Sequence, residues 1–229
     1  MGLSTLVGYG YRTLRSHPRF AIQQIEIQGA GPSAEREIRQ ILEPVLGHNV
    51  FSLDLGSLQR RILDYPRVKS VVVRGEVSGT LRLDVVEHEP AGLVQIENRI
   101  LVVNREGDML GSYEHFGRPL DLPVLVGLEG NEDLTVLIER GLATLAALRD
   151  TSLVFWDNVE TLNLGNPENM IVTLRSEPAP IYLGRRVIAE NIMNYLSIAQ
   201  RVREDYPQLQ YIELGYPNQV AVMPVRGEE

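Results

Sequence analysis

The amino-acid sequence predicts an α+β fold, in which a small β-α-α-β-β domain is followed by a larger, mostly antiparallel β-sheet domain with two flanking helices. Residues 20–89 alternate between strand-like and helix-like patterns. After Pro90 strand-like stretches dominate, and two long apolar repeats at helical spacing interrupt them. With 229 residues, 44% of them hydrophobic, the chain can fill the cores of two domains. We therefore expect one domain over residues 20–90 and a second over residues 91–229, with residues 1–19 preceding both.

Two different periodicities predict the first strand and the first helix. In residues 22–28, Ile25 and Ile27 alternate with polar residues, which is typical of a half-buried strand. Ser33 then lies where a helix N-cap is expected. The apolar residues that follow have the spacing of an amphipathic helix: Ile38, Ile41, Leu42 and Val45. We expect Pro44 to end or kink this helix, because proline lacks the N–H that a helix interior needs.

A second helix and a hairpin complete the predicted small domain. A shorter apolar repeat at helical spacing consists of Leu55, Leu58 and Ile62. It stops before Tyr65-Pro66, because the residue ahead of a proline disfavours the helical conformation. Residues 68–74 and 80–87 are strand-like runs on either side of a glycine-containing turn. We expect the two helices to cover one face of this small sheet.

The larger domain is predicted from short strand-like runs and two longer helical repeats. The strand-like runs cover residues 93–96, 99–103, 109–110, 159–164, 170–174, 181–183, 210–214 and 219–223. Apolar residues at helical spacing predict helices over about residues 131–149 and 186–205. Turn-forming residues separate many of the strands, so we expect the sheet to grow by hairpins. The single tryptophan, Trp156, is expected to pack in the core at the edge of a sheet region.

One set of residues in the first block has a characteristic order and spacing: Phe20, Ile22, Ile25, Ile27, Gly29, Asn49, Phe51, Leu53, Leu55, Tyr65, Pro66, Val68, Val71, Val73, Arg74, Thr80, Leu81, Leu83, Val85, Glu87, Glu89, Pro90 and Ala91. By these residues the block resembles the POTRA domain of the FtsQ/DivIB cell-division proteins. The order and spacing of these residues are more specific than any one short motif. The sequence departs from the family before Thr80, where Val77-Ser78-Gly79 replaces the usual aromatic-proline pair.

The likeness continues through the second half of the chain. Residues 120–127 resemble the Leu-Pro-x-Leu-x-Gly signature of FtsQ/DivIB proteins. Residues 211–222 resemble the terminal Ile-Asp-Leu-Arg-Tyr-Pro-Asn motif of the family, with Glu213 in place of Asp and Gly215 in place of Arg. The resemblance therefore covers most of the chain, with its parts in the family's order.

Composition argues against nucleic acid and against thiol chemistry. The formal net charge is -8, and Lys69 is the only lysine. Nucleic acids and anionic membrane surfaces bind clustered cations, and no stretch of this sequence supplies a strong cluster. The chain contains no cysteine, which excludes disulfides, thiolate nucleophiles and cysteine-ligated zinc.

The sequence also lacks the pattern of a catalytic or metal site. The four histidines are scattered: His17, His48, His88 and His115. Glu87-His88-Glu89 alternates along a strand, so the imidazole faces away from both carboxylates, and we expect a solvated strand end. No glycine loop carries the lysine of a P-loop. We expect no catalytic residue, no cofactor, no metal ion and no small-molecule substrate.

The resemblance implies a membrane-anchored protein. No stretch approaches the roughly 20 apolar residues of a spanning helix. FtsQ/DivIB proteins carry a single membrane-spanning helix just ahead of the POTRA domain. By that resemblance, residues 1–19 are a juxtamembrane segment or the trimmed end of the helix, in which residues 3–11 are mildly apolar. The implied location is the inner membrane, crossed once, with both domains in the periplasm.

The function implied by the resemblance is that of a non-enzymatic divisome scaffold. Such a protein binds FtsB-like and FtsL-like coiled-coil division proteins, together with other divisome components, and helps coordinate septal peptidoglycan synthesis. One alternative is a POTRA-containing periplasmic part of an outer-membrane assembly or secretion protein. Another is a hydrolase with a site between the two domains, which requires a convergent acid/base pair.

The last predicted strand is the candidate partner-binding surface. A terminal strand added by a hairpin can lie at a sheet edge with one row of N–H and C=O groups unpaired. An extended partner segment can then add one more strand, which is also where FtsB is thought to bind in FtsQ-type proteins. The candidate residues are Tyr216, Asn218, Gln219, Val220, Ala221, Val222 and Met223. The alternatives are a short strand, a strand covered by residues 226–229, or a strand internal to the sheet.

Overall fold

The computed structural model describes residues 17–130 and 133–225. The expectations for residues 1–16, for the first two residues of the helix predicted at 131–149, and for a cover formed by residues 226–229 lie outside the described residues. The chain divides into two compact units. The first runs to Glu89 and includes His115–Gly117, and the second contains the other residues from Pro90 onward.

The first unit has the predicted β-α-α-β-β order. Its elements are β1 (Gln24–Gln28), α1 (Pro32–Leu42), α2 (Leu55–Leu63), β2 (Val68–Gly75) and β3 (Thr80–Glu87). Short 3-10 helices lie at Pro18–Phe20, Glu43–Val45 and Val50–Ser52. The sheet order is β1-β3-β2, with β1 parallel and β2 antiparallel to the central β3. The end of α1 at Leu42, followed by a 3-10 turn through Pro44, agrees with the effect expected of that proline.

The apolar residues of α1, α2 and the three strands pack together in one core between the helices and the sheet of the first unit. The buried residues of this core are Ile22, Ile38, Leu42, Val45, Val50, Leu58, Ile62, Val68, Val71, Leu81, Leu83 and Val85. On β3 the buried positions alternate with more exposed ones, as a sheet with one covered face requires. Both helices therefore cover the same face, as the sequence predicted.

The N-cap predicted for α1 is wrong by two residues. Gly31 occupies the cap position, and Pro32 begins the helix. Proline is favoured at the first helical position because its fixed φ suits the helix and its missing N–H costs nothing there. Ser33 therefore lies inside the first turn, where its hydroxyl donates to the carbonyl of His115.

Glu87 is half-buried and forms an ion pair with Arg67, which corrects the expected solvated strand end. Its carboxylate accepts a hydrogen bond from Arg67 at 2.9 Å and another from the backbone N–H of Gly31 at 2.5 Å. The Arg67 guanidinium is buried and lies 4.1 Å from the centre of the Phe116 ring. One carboxylate thus joins the end of β3, the start of α1 and the turn before β2.

The second unit is built on a nine-stranded sheet in the described part of the chain. Its elements are β4 (Gly92–Ile96), β5 (Arg99–Val103), β6 (Met109–Ser112), β7 (Val124–Val126), α3 (Leu134–Thr151), α4 (Leu153–Trp156), β8 (Val159–Asn163), β9 (Met170–Leu174), β10 (Glu177–Gly184), α5 (Ala189–Asp205), β11 (Leu209–Glu213) and β12 (Ala221–Pro224). A 3-10 helix lies at Tyr113–Phe116. The strand order is β12-β11-β10-β9-β8-β7-β4-β5-β6. The predicted larger, mostly antiparallel sheet domain with two long helices is confirmed.

The sheet does not grow by hairpins alone, which corrects one expectation. The pairs β4–β7, β7–β8 and β10–β11 are parallel, and the other neighbouring pairs are antiparallel. Parallel neighbours need a crossover connection, because the chain must return to the end of the sheet where the first strand began before the second strand can start. Helices α3 and α4 connect β7 to β8, and α5 connects β10 to β11. The two predicted long helices therefore lie in the crossovers of the parallel pairs β7–β8 and β10–β11.

In the part of the chain that the structure describes, α3 and α5 pack on one face of the nine-stranded sheet. The buried residues of β9 and β10 alternate with half-exposed ones, and α3 and α5 add their buried residues to the same core. The shared core includes Leu137, Ile138, Leu142, Leu145, Leu148, Met170, Val172, Ile181, Leu183, Ile192 and Tyr195. Trp156 is partly buried against this core in the short helix α4, and not at a sheet edge as expected.

Gly29 is the position where the small domain tolerates a side chain least. It has a φ of 82°, and a Cβ placed there would lie 2.1 Å from the carbonyl oxygen of Val85 on β3. Gly47 has a similar φ of 81°, but a Cβ at this position would meet no atom within 4 Å. Substituting both glycines by alanine therefore distinguishes two destabilising effects: the left-handed backbone, which both positions share, and the steric clash, which occurs only at Gly29.

We expect Gly29→Ala to destabilise the protein by about 3 kcal/mol or more, because the methyl group displaces the backbone of β3. Gly47→Ala is the matched control, and its expected cost is about 1 kcal/mol from the left-handed backbone alone. Urea unfolding followed by circular dichroism measures both. Equal losses for the two variants would contradict the close approach at Gly29.

Candidate partner-binding edge

The last strand, β12, lies at one edge of the nine-stranded sheet. It pairs antiparallel with β11, through Tyr211 opposite Met223, Ile212 opposite Val222 and Glu213 opposite Ala221. No strand among the described residues pairs with its other side. The opposite edge of the sheet is β6. An outer row of backbone groups on β12 is therefore open to an additional strand.

The direction of the N–H groups along β12 identifies which of them point outward. Val225, directly after the strand, donates its N–H to the carbonyl of Gln208, on the β11 side, at 3.1 Å. N–H directions alternate along an extended strand, so the N–H of Val222 points away from β11. Pro224 occupies the next outward position, where proline loses no bond within the sheet. Val222 is thus the outward backbone donor within β12.

The sequence predicted a strand over residues 219–223, and the structure begins it two residues later. Tyr216, Asn218, Gln219 and Val220 lie in the connection between β11 and β12, while Ala221, Val222 and Met223 lie in the strand. Asn218 has a φ of 60°, and the N–H of Gln219 donates to the carbonyl of Tyr216 at 3.3 Å. The structure therefore brings all seven candidate residues into one turn and one edge strand.

The side chains of this edge are apolar and uncharged. Tyr216 is 63% exposed and Met223 is 41% exposed, whereas Val220 and Val222 pack partly against the core. The exposed side chains of β12 itself are Ala221 and Met223, which share one face because they are two residues apart. A partner strand would find backbone groups at the edge and apolar contacts beside them.

A positively charged cleft lies beside the connection to β12. It has a volume of about 510 Å³ and is lined by Arg140, Arg185, Arg186, Ile188, Gly215 and Pro217. Arg140 and Arg185 lie 3.9 and 3.4 Å from the carboxylate of Glu168, and the N–H of Gly215 donates to the carboxylate of Glu213. The three arginines outnumber these two carboxylates, and the excess positive charge favours acidic groups on anything that binds next to the cleft.

Asn191 positions the connection, and sequence reasoning missed it. This fully buried residue of α5 donates its amide N–H groups to the carbonyls of Leu214, at 2.7 Å, and Tyr216, at 2.6 Å. The position of Asn191 in the sequence could have indicated its burial. It lies three residues after Ile188 and four before Tyr195, on the apolar face of the predicted helix. A polar residue on a buried stripe needs hydrogen-bond partners.

A second buried polar group, Glu177, lies under α5. The Tyr195 hydroxyl lies 3.5 Å from its carboxylate, and Arg203 lies 4.0 Å from it. Burial, and then the negative charge of Glu177, raise the pKa of Tyr195 to about 12. The tyrosine is therefore protonated near neutral pH, and the cluster can hold α5 on β10.

The described residues contain neither a metal-binding cluster nor a membrane-spanning helix. Within residues 17–130 and 133–225, no three histidine or carboxylate side chains lie close enough together to hold a metal ion. In the same part of the chain, no helix combines the length and the apolar character needed to cross a membrane.

We expect Asn191→Ala to destabilise the protein by about 1–3 kcal/mol, because two carbonyls lose their buried donors. Asn191→Asp should cost at least as much, since a carboxylate would face those same oxygens. Asn194→Ala, at an exposed position one turn away on α5, is the control and should change stability by less than about 0.5 kcal/mol. Urea unfolding gives the stabilities, and faster amide exchange of Gln219 and Ala221 would locate the effect. A neutral Asn191→Ala would contradict the positioning role.

The raised pKa of Tyr195 predicts a loss of stability at alkaline pH. Below about pH 10 the phenol is protonated in both states, and between pH 10 and 12 the unfolded chain ionises first, which favours unfolding. This loss should reach about 2 kcal/mol in the parent protein and be absent from Tyr195→Phe. Urea unfolding at a series of pH values measures it. The same alkaline decline in both proteins would show that Tyr195 is not its source.

Comparison with known proteins shows similarity to FtsQ cell-division proteins. Residues 20–88 match the family described as POTRA domain, FtsQ-type. The cell division protein FtsQ of Koribacter versatilis is 21% identical over 98% of this chain and 68% of that protein. The FtsQ proteins of Geotalea daltonii and Syntrophotalea carbinolica are 23% and 25% identical, over 95% and 91% of this chain and 81% and 76% of those proteins. These likenesses support a role in cell division: residues 20–88 match an FtsQ-type POTRA domain, and nearly the whole chain is similar to cell division proteins named FtsQ.

Proposed function

We propose that this chain is the extracytoplasmic part of a non-enzymatic divisome scaffold that binds FtsB-like and FtsL-like proteins and helps coordinate septal peptidoglycan synthesis. In this proposal residues 20–90 are the POTRA domain and residues 91–229 are an FtsQ-type β domain. The likeness to cell division proteins named FtsQ over nearly the whole chain supports the cell-division role.

The proposed location is the inner membrane, crossed once by a helix N-terminal to Phe20, with both domains in the periplasm. The family resemblance supports this location. The mildly apolar residues 3–11 precede the POTRA domain, where the family's membrane helix ends.

The observation that carries the binding proposal is the open outer side of β12. An extended segment of an FtsB-like partner adds there as a further strand. The outward N–H of Val222 and the outward carbonyls of β12 supply main-chain hydrogen bonds. Alternate side chains of the partner then contact Met223 and Tyr216, which are exposed beside the edge.

The chemistry around the edge also defines the partner segment. β12 has only four residues, so main-chain bonds alone give a weak complex. The segment therefore needs apolar side chains against Met223 and Tyr216. Acidic side chains near the connection would be attracted by Arg185 and Arg186, which line the adjacent cleft. An apolar β-strand with flanking acidic residues meets both requirements.

We expect Val222→Pro to weaken binding of an FtsB-like partner at least about tenfold, because it removes the outward donor and bars an added strand from close approach. The fold should persist, since this N–H makes no bond to β11. Val222→Ala is the matched control, because it loses the same valine side chain and keeps the N–H. Titration calorimetry with the partner's extracytoplasmic fragment measures the affinities.

Circular dichroism and urea unfolding verify that both Val222 variants are folded. A folded Val222→Pro protein with the parent's affinity would rule out strand addition at this edge. Equal weakening by Val222→Ala and Val222→Pro would assign the binding to the valine side chain instead.

A further inference from the structure

Exposed apolar side chains gather at one end of the POTRA domain, where the chain enters it. Leu46 is 45% exposed, Phe51 is 39% exposed and Val77 is 64% exposed. Phe20 joins them, because its ring lies edge-on to that of Phe51 with 5.2 Å between centroids. We name these four residues the N-terminal patch.

Backbone hydrogen bonds tie the loops of the patch to the first residues of the domain. The N–H of Gly47 donates to the carbonyl of Ile22, and the N–H of Ile22 donates to the carbonyl of His48. The N–H of Gln23 donates to the carbonyl of Gly79, in the turn that carries Val77. The three segments are thus joined around residues 20–23, and the patch is a fixed feature of this end of the domain.

Charged side chains lie beside the apolar residues of the patch, as they do on surfaces that contact both lipid tails and headgroups. Arg19 is exposed beside Phe20. Glu76, next to Val77, is partly neutralised by Arg82 at 3.2 Å. Large apolar side chains with nearby arginine are characteristic of surfaces that lie in the headgroup region of a bilayer.

We propose that the N-terminal patch rests in the headgroup region of the membrane and so fixes how the POTRA domain stands on the bilayer. This inference relies on the membrane attachment proposed above. From Tyr11 to His17 the chain spans at most about 20 Å, so the patch stays close to wherever residues 3–11 are held. A lipid surface there covers the exposed side chains of Leu46 and Val77.

The chain provides matched controls within the same domain. Val86 is 52% exposed, at the end of β3 that lies away from the turn carrying Val77. Leu63 is 39% exposed, at the end of α2 and away from Leu46. Leu46 and Val77 therefore each have a control of the same residue type outside the patch, Leu63 and Val86 respectively.

The absence of cysteine from the sequence allows clean labelling at single sites. The variants Leu46→Cys, Val77→Cys, Leu63→Cys and Val86→Cys of the full chain are labelled with an environment-sensitive fluorophore and mixed with phosphatidylcholine vesicles. We expect a blue shift at positions 46 and 77, and none at positions 63 and 86. The double variant Leu46→Ser/Val77→Ser should reduce the vesicle-bound fraction about tenfold, whereas Leu63→Ser/Val86→Ser should retain it.

Three results would overturn the inference. Equal responses at all four labels, or none at any, would show that the patch does not enter the bilayer. A vesicle-independent shift at position 46 that grows with protein concentration would assign the patch to self-association. Fractionation of the native protein tests membrane attachment separately, and the Val222→Pro titration in solution tests the partner edge, so failure of the patch alone is distinguishable from failure of the proposed function.

Discussion

Helices α3 and α5 cover only one face of the nine-stranded sheet, and this one-sided burial governs what the second unit presents to solvent. The buried rows of β9 and β10 face the helices, while the opposite rows remain half-exposed. An open sheet also has two edges, here β6 and β12, because nothing in its topology closes it. Helix α5 leads into β11, which lies next to β12, whereas α3 leads through α4 into β8, the middle strand of the nine. The chain then returns from β11 to β12, so the last strand lies at an edge where no other described strand pairs with its outer side.

Buried and half-buried polar side chains fix the ends of helices and strands whose positions apolar packing alone would not determine. Glu87 joins Arg67 to the N–H of Gly31 in the POTRA domain, and Asn191 holds the carbonyls of Leu214 and Tyr216 at the start of the connection to β12. A buried polar group without a partner is costly, so each of these side chains is stabilising only in one geometry. The same bonds therefore select one position for the backbone that they contact.

Periodicity predicted the elements of this fold well, because one-sided burial leaves a direct trace in the sequence. The apolar repeats at Ile38 and Leu42, and those of the two long helices, identified helices whose buried faces the structure confirms. Strand order left no such trace, because parallel and antiparallel neighbours bury the same residues. The pairing of Glu87 with Arg67 and with the N–H of Gly31 depends on residues distant in sequence. The start of α1 at Pro32 had a local signal, because proline is favoured at the first helical position. At the candidate edge, the turn and strand residues were predicted from the sequence. The role of Asn191 was not, because the apolar repeat around it predicted a helix without indicating that this polar residue is buried.

Gly215 lies where the FtsQ/DivIB motif that residues 211–222 resemble has arginine, yet arginines still lie near the edge. A Cβ on Gly215 would lie 2.7 Å from Glu213 Oε1 and 3.0 Å from Gly184 Cα. A side chain here would therefore have to displace the Glu213 carboxylate and press on the backbone at the end of β10. Arg185 and Arg186 follow Gly184 directly, and with Arg140 they line the cleft that Gly215 also borders. In the proposed complex, positive charge beside the edge thus comes from the end of β10, and the close backbone packing at Gly184 and Gly215 holds that charge next to the strand that the partner extends.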